Sequence, residues 1–369
     1  MIDINIEYKN INGEYPVFFE KNANKKICVA CDANTRKFAE PLAEKLKAIG
    51  CVIDFTYFDD EELVPNESAC GMFIEDVLAF DCDYVLAVGS GTLNDMTKYV
   101  SHKVGLPCGV LATAPSMDGY CSKGAALMVG GKKISYETHI PKDVLIDTDI
   151  IANAPKMMIA SGFGDIIGKY TCLLDWRLSH EVNGEVINES AFEHMVKARE
   201  ACVSNYIPLA SGEKEATSKL MDALLAAGLA MAECGNSRPA SGSEHHMSHF
   251  LEMDFVARGE KIPMHGIKVA IGTLISIEAY NYLKRNDVKF KGSDKVYEYV
   301  KELPTTEEIE KMLIKVGCPT RFSEIGVREE TFDDMFRNAY KLRDRYTVLT
   351  LIHDLGLTEE ILPVVKKYF

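Results

Sequence analysis

Three histidines carry the densest chemistry in the sequence. His245 and His249 stand four residues apart in SGSEHHMSHFLEM, and His265 follows in PMHGIKVAIGTL, where Gly266 is read as a turn opening another helix. A spacing of four on a helix puts both rings on one face, a turn apart. With His246, four of the chain's nine histidines fall between positions 245 and 265. A single histidine in such a place more often caps a carbonyl or faces water. A cluster favours a metal, because neutral imidazole is a leading ligand for zinc, nickel and iron. A carboxylate would complete the set, and Asp165 in GFGDIIGK is the candidate, expected in an early helical turn among small residues that leave room for a ligand. An Asp in a first turn also complements the helix dipole, so this motif alone is weak. Two histidines and one carboxylate leave coordination positions open, the pattern of a catalytic metal.

A second constellation suits phosphate. The apolar run YVLAV enters Gly89-Ser90-Gly91-Thr92-Leu93-Asn94-Asp95 and then a helical pattern. Glycines let a backbone approach a pyrophosphate, and a helix N-terminus offers free N–H groups. The spacing is G-x-G-x-x-x-D, neither the G-x-G-x-x-G fingerprint nor a lysine-bearing P-loop. A strand-to-helix turn also carries glycines for geometry alone. Asp32 closes the run CVACD, where a carboxylate could receive ribose hydroxyls and favour NAD over NADP, or else cap the following helix. Arg238 lies seven residues before His245, and its planar fork, stiffened by Pro239, suits a substrate phosphate; a surface arginine is the plain alternative.

Both constellations need positioning elements. Runs 27–31, 51–58, 84–89 and 108–112 have the length and composition of buried strands, with helical stretches between them, one stopping at Gly50. The βαβ rhythm implies an α/β domain with a parallel, doubly wound sheet over 1–152. Gly130-Gly131 reads as a hairpin turn added to that sheet. From 153 to 369 long helical patterns such as MDALLAAGLAMAECG dominate, implying an all-α domain.

Composition narrows the classes. Apolar residues make up 47% and charged residues 26% of 369, which is ordinary globular usage. The net charge of −14 argues against nucleic acid as the main partner. No apolar run reaches the ~18 residues of a membrane span, and no signal peptide is evident, so a cytoplasmic protein without membrane partners is expected. Eleven scattered cysteines suit reduced thiols. Cys28 and Cys31 form a C-x-x-C inside a strand-like run, where packing is favoured over redox chemistry.

Taken in order, GSGTLND, ATAPSMDGYCSKGAAL, GFGDIIGK, SGSEHHMSH and MHGIKVAIGTL resemble the dehydroquinate-synthase-like, iron-containing alcohol dehydrogenase superfamily. Within it they are most similar to the bacterial branch of the sn-glycerol-1-phosphate dehydrogenase family. The resemblance spans about residues 27–280. It implies an NAD(H)- or NADP(H)-dependent oxidoreductase that reduces dihydroxyacetone phosphate to sn-glycerol 1-phosphate at a bound zinc, nickel or iron. It implies that Gly89 to Asp95 hold the cofactor pyrophosphate, that Thr113, Ser116 and Ser122 touch the cofactor, and that Asp32 meets the ribose. Asp165, His245 and His265 would ligate the metal, with Asp118, Asp165 and His249 at the substrate. Ser90 departs from the family by replacing the middle one of three glycines. A homo-oligomer is the expected assembly. The rivals are a glycerol dehydrogenase acting on unphosphorylated substrate and a dehydroquinate-synthase-type lyase; Asp165, where that branch carries Glu, speaks against the second.

Overall fold

The computed structural model describes residues 2–60, 62–130 and 132–369, which divide into two compact units, Met1–Pro155 and Lys156–Phe369. The first unit contains β1 (Asn5–Tyr8), β2 (Lys26–Asp32), β3 (Val52–Phe58), β4 (Tyr84–Gly89), β5 (Cys108–Ala112), β6 (Gly124–Val129), β7 (Lys132–Glu137) and β8 (Asp143–Ile146). Six of them form one parallel sheet in the order β1-β8-β5-β4-β2-β3. Strands β4 and β5 are buried along their whole length, as their unbroken apolar runs require. The helix Arg36–Ala48 ends just before Gly50, whose φ of 87° is the left-handed value that favours glycine.

Chain order reverses between β2 and β4, because β3 lies outside β2 while β5 lies outside β4. Such a switch point opens a crevice at the carboxyl ends of the strands. Asp32 and Gly89 sit there side by side, each two residues past the paired Ala30 and Ala87. Gly89 also pairs with Ala112, so the loop that starts at Thr113 leaves from the same edge.

Sequence reasoning did not assign β1 and β8, each only four residues long. The expected hairpin at Gly130 exists: β6 and β7 pair antiparallel with Val129 opposite Lys132, although Gly131 lies outside the described residues. It forms a two-stranded sheet of its own instead of widening the parallel one. All eleven cysteines are free thiols. Burial pushes Cys28 and Cys31 each up to about 12, against any role as a reactive pair.

The second unit has no strand among its described residues. Its centre is the helix His265–Arg285, in which every residue from Gly266 to Tyr280 is buried. A helix covered on all sides must let its neighbours close, and glycines permit it. A methyl on Gly266 would overlap the carbonyl oxygen of Ser161 and stand 3.0 Å from the Asp165 nitrogen. A methyl on Gly164 would overlap the Gly266 carbonyl in turn, so the helices Lys156–Ile167 and His265–Arg285 touch backbone to backbone. Further along the helix Gly272 would bring a methyl to 3.0 Å from the Glu244 carbonyl oxygen, which seats the helix Ser243–Ala257. Among the described residues no helix is long and apolar enough to cross a membrane.

Gly266→Ala should therefore cost roughly 1–3 kcal/mol or more in denaturant unfolding, the range of overpacking a tight core. Gly71→Ala, in the helix Glu67–Phe80 with nothing within 4 Å of the added methyl, should gain about 0.5–1 kcal/mol. Equal effects at the two positions would contradict the close helix contact.

Candidate metal centre and cofactor loop

Asp165, His245 and His265 each bring a ligand atom within 4.8 Å of the other two. The rings of His245 and His265 lie 5.0 Å apart, and Asp165 Oδ1 is 3.7 Å from His245 Nε2. Asp165 sits in the last turn of its helix and not in an early one, because the helix already begins at Lys156, after Pro155. A carboxylate is unfavourable at that end of the dipole. The buried Lys169, one turn on, offsets it with a 2.8 Å ion pair and also donates to the Ala240 carbonyl. Likewise Gly266 is not a turn residue: the helix starts at His265, and the glycine serves the backbone contact with Ser161.

Buried carboxylates orient the imidazoles. Glu244 accepts from His245 Nδ1 at 2.8 Å, from Thr171 Oγ1 at 2.6 Å and from the Gly242 amide at 2.6 Å. His245 thus carries its proton on Nδ1 and presents the Nε2 lone pair toward Asp165. Burial, with Lys169 and His265 beside it, holds the ring well below its usual pKa and hence neutral. Burial raises Glu244 to about 7, with the charge of Asp175 adding to it. Glu252 accepts from His249 Nδ1 at 3.1 Å and from His265 Nδ1 at 3.4 Å, and pairs with Lys268 at 3.3 Å. Outer-shell carboxylates of this kind fix the tautomer of a metal-ligating histidine. Two imidazoles and a carboxylate, oriented in this way, fit a divalent cation.

His249 stands beside this group, its ring 5.9 Å from His265 and 6.4 Å from His245. Its Nε2 faces Arg343 Nη2 at 3.0 Å. A guanidinium only donates, so Nε2 accepts, and the proton rests on Nδ1 toward Glu252. Asp175 holds the assembly from below. Its Oδ2 accepts from the Ser243 amide at 2.7 Å, its Oδ1 from the Val348 amide at 2.8 Å and the Tyr280 hydroxyl at 2.6 Å. One buried carboxylate thus caps the helices Ser243–Ala257 and Val348–Asp354.

Arg238 departs from expectation. It is 2% exposed, and its Nε and Nη2 donate to both oxygens of Glu185 at 3.1 and 2.9 Å. Nη2 also reaches the carbonyls of Asp175 and Tyr346. The fork proposed for a phosphate is spent on the protein's own acceptors. Glu244 and Glu252 were missed in the sequence although their spacing was visible, one residue before His245 and three after His249. Lys169, four after Asp165, was also there to find. Arg343 had no local signal, since nearly a hundred residues separate it from His249.

The cofactor candidates and Asp118 all belong to the first unit. Ser90 precedes the helix Gly91–Val104, whose first bond within the turn is Asn94 N–H to the Ser90 carbonyl. The earlier N–H groups, through Thr92 and Leu93, have no acceptor inside the helix. A methyl on Gly89 would overlap the Leu93 side chain, so glycine is required there. Leu93 and Asn94 are buried, while Asp95 pairs with Lys98 at 3.0 Å and accepts from the Ala126 amide at 3.0 Å. Asp32 Oδ1 accepts from the amides of Asn34 and Thr35 and from the Thr35 hydroxyl, in the turn that precedes the helix Arg36–Ala48. Thr113 donates its amide to the Gly89 carbonyl, Ser116 donates its own to Ala114, and the Ser122 hydroxyl donates to Gly119. Asp118 precedes the short turn Gly119–Cys121 and is 8% exposed.

The fold is that of the iron-containing alcohol dehydrogenases. Residues 7–155 match the family described as iron-containing alcohol dehydrogenase. A solved glycerol dehydrogenase from Schizosaccharomyces pombe superposes with a TM-score of 0.75 at 18% identity, covering 100% of this chain and 89% of that one. Among curated proteins, the glycerol-1-phosphate dehydrogenase [NAD(P)+] of Bacillus velezensis is 32% identical over 94% of this chain and 89% of its own length. That of Pyrococcus furiosus is 33% identical over 72% of this chain and 70% of its own. The chain belongs to the glycerol-1-phosphate dehydrogenase family.

His245→Ala and His265→Ala should each purify with less than about a tenth of the wild-type metal by elemental analysis, while keeping the far-ultraviolet dichroism of the fold. Weakening a carboxylate that orients the imidazoles is milder: Glu252→Gln should weaken metal affinity by roughly 10- to 100-fold. Full occupancy in both alanine variants would refute the assignment.

Proposed function

We propose that this protein interconverts dihydroxyacetone phosphate and sn-glycerol 1-phosphate with NAD(H) or NADP(H) and one divalent cation, zinc, nickel or ferrous iron. The observation that carries the proposal is the cluster of Asp165, His245 and His265 with both imidazoles turned by buried carboxylates. It occurs in a chain about a third identical to relatives named for this reaction.

Asp165, His245 and His265 would hold the cation, which when bound polarises a carbonyl as a Lewis acid. The nicotinamide supplies the hydride. The amide groups at the start of the helix Gly91–Val104 would bind the dinucleotide pyrophosphate, with Asp32 at the neighbouring strand end near the ribose. Thr113, Ser116 and Ser122 would border it. Asp118 would contact the substrate.

The chain's own share of the chemistry is a proton. Reduction of a ketone leaves an oxygen that must be protonated, and oxidation of the alcohol must remove that proton. His249 is suited to both, since its Nδ1–H is held by Glu252 and its Nε2 carries the lone pair. When substrate displaces Arg343 from Nε2, that atom would take the hydroxyl proton in oxidation and return it in reduction. Glu252 would steady the transient imidazolium, as a carboxylate does behind a general-base histidine.

The metal-loaded protein should oxidise NADH with dihydroxyacetone phosphate at a kcat/KM roughly 10- to 100-fold above that with dihydroxyacetone, the value of a charged hydrogen bond to phosphate. A preference for dihydroxyacetone would assign the chain to glycerol oxidation instead.

A further inference from the structure

Arg343 and Arg345 lie just before the helix Val348–Asp354, and the carboxylates that act on them, Glu252 on Arg343 and Glu185 on Arg345, do so from beyond ion-pair distance. Among the described residues neither makes an ion pair. Arg343 Nη1 and Arg345 Nη2 donate to the same neutral atom, Ser237 Oγ, at 3.3 and 3.1 Å. The other bonds go to His249 Nε2 from Arg343 and to the Ser241 carbonyl from Arg345 at 2.6 Å. Each guanidinium has five N–H donors, so most remain uncommitted. The carboxylates nearby serve other groups: Glu185 holds Arg238, and Glu252 holds His249, His265 and Lys268.

Two guanidinium groups converging on one hydroxyl, partly buried and with no carboxylate in contact, are costly to maintain. Burial lowers the pKa of both, Arg345 to about 10, with Arg238 and Arg343 adding repulsion. A second observation points the same way. The Ser241 hydroxyl, the Ser248 hydroxyl, both ring nitrogens of His246 and Arg238 Nη1 are buried with no partner. Buried polar atoms are nearly always satisfied in native interiors, so these call for a water or an ion as partner.

We infer that Arg343 and Arg345, joined through Ser237, form the anchor for the phosphate of the substrate, resting on the phosphorylated ketone proposed above. A phosphate dianion offers three oxygens to planar forks that favour bidentate contacts. The position agrees with a three-carbon substrate. Arg343 is one hydrogen bond from His249, whose ring neighbours His265, and in dihydroxyacetone phosphate only C3 and an ester oxygen separate C2 from phosphorus. Arg343 thereby links the two ends of the substrate, since its move to phosphate would uncover His249 Nε2.

The test compares metal-loaded wild type with Arg343→Gln and Arg345→Gln, using dihydroxyacetone phosphate, dihydroxyacetone and inorganic phosphate. The expected result is a roughly 10- to 100-fold fall in the ratio of kcat/KM for the phosphorylated over the free ketone, carried mainly by KM. Inorganic phosphate should compete with dihydroxyacetone phosphate in wild type and do so about tenfold more weakly in each variant. Arg345→Lys, which keeps the charge and loses the fork, should fall between and serves if a glutamine variant does not fold. An unchanged ratio, an equal loss on both ketones, or a change confined to the KM for NADH overturns the anchor while leaving the proposed reaction intact. If wild type prefers dihydroxyacetone, the reaction is refuted instead, and the anchor then stands or falls on phosphate inhibition alone.

Discussion

The candidate centre depends on glycine. Asp165, His245 and His265 come from three helices that could not converge if their backbones stood at the usual 8–10 Å set by interposed side chains. Gly164 and Gly266 remove the side chains where two of these helices cross, and Gly272 does so where the third arrives. Gly168 and Gly242 extend the same logic: methyl groups there would meet Val269 Cγ1 at 2.6 Å and Cys172 Cα at 2.7 Å. Glycine costs a helix about 1 kcal/mol each against alanine. Several within so short a space are tolerable only because the contacts they permit put three ligands within reach of one ion.

Bringing a carboxylate and two imidazoles together in a buried place creates an electrostatic problem, and the surrounding residues answer it in layers. Lys169 neutralises Asp165 inside the unit, while Glu244 and Glu252 each accept a hydrogen bond from an Nδ1–H and so leave Nε2 lone pairs facing inward. Asp175 then ties the helix that carries His245 to two other parts of the unit. The arrangement is rigid on the ligand side and unsatisfied on the side of Arg343, Arg345 and His246, where unpaired donors accumulate. A metal on one flank and an anion on the other would complete the pattern of satisfied charge.

Much of this was legible in the sequence. Four core strands and their helices follow from apolar runs and glycine stops, and the ligand set follows from imidazoles at helical spacing. What was misjudged has a common physical origin. Asp165 was expected early in its helix because glycines look like a boundary, yet here they mark a crossing inside a helix that began at Lys156. Gly266 misled in the same way. Arg238 is near His245 along the chain, but chain proximity does not say which acceptor a guanidinium meets, and Glu185 claims it. Arg343 approaches His249 only through tertiary packing, which no local pattern encodes.

The claim that three glycine-closed helices hold one ligand set is tested most directly by X-ray absorption at the metal edge of the loaded protein. The account predicts a shell of nitrogen and oxygen donors only, near 2.0–2.2 Å for zinc, with multiple scattering from two imidazoles. Loss of one imidazole is expected in His265→Ala supplied with excess metal. A sulfur donor, or a shell with no imidazole, would contradict it.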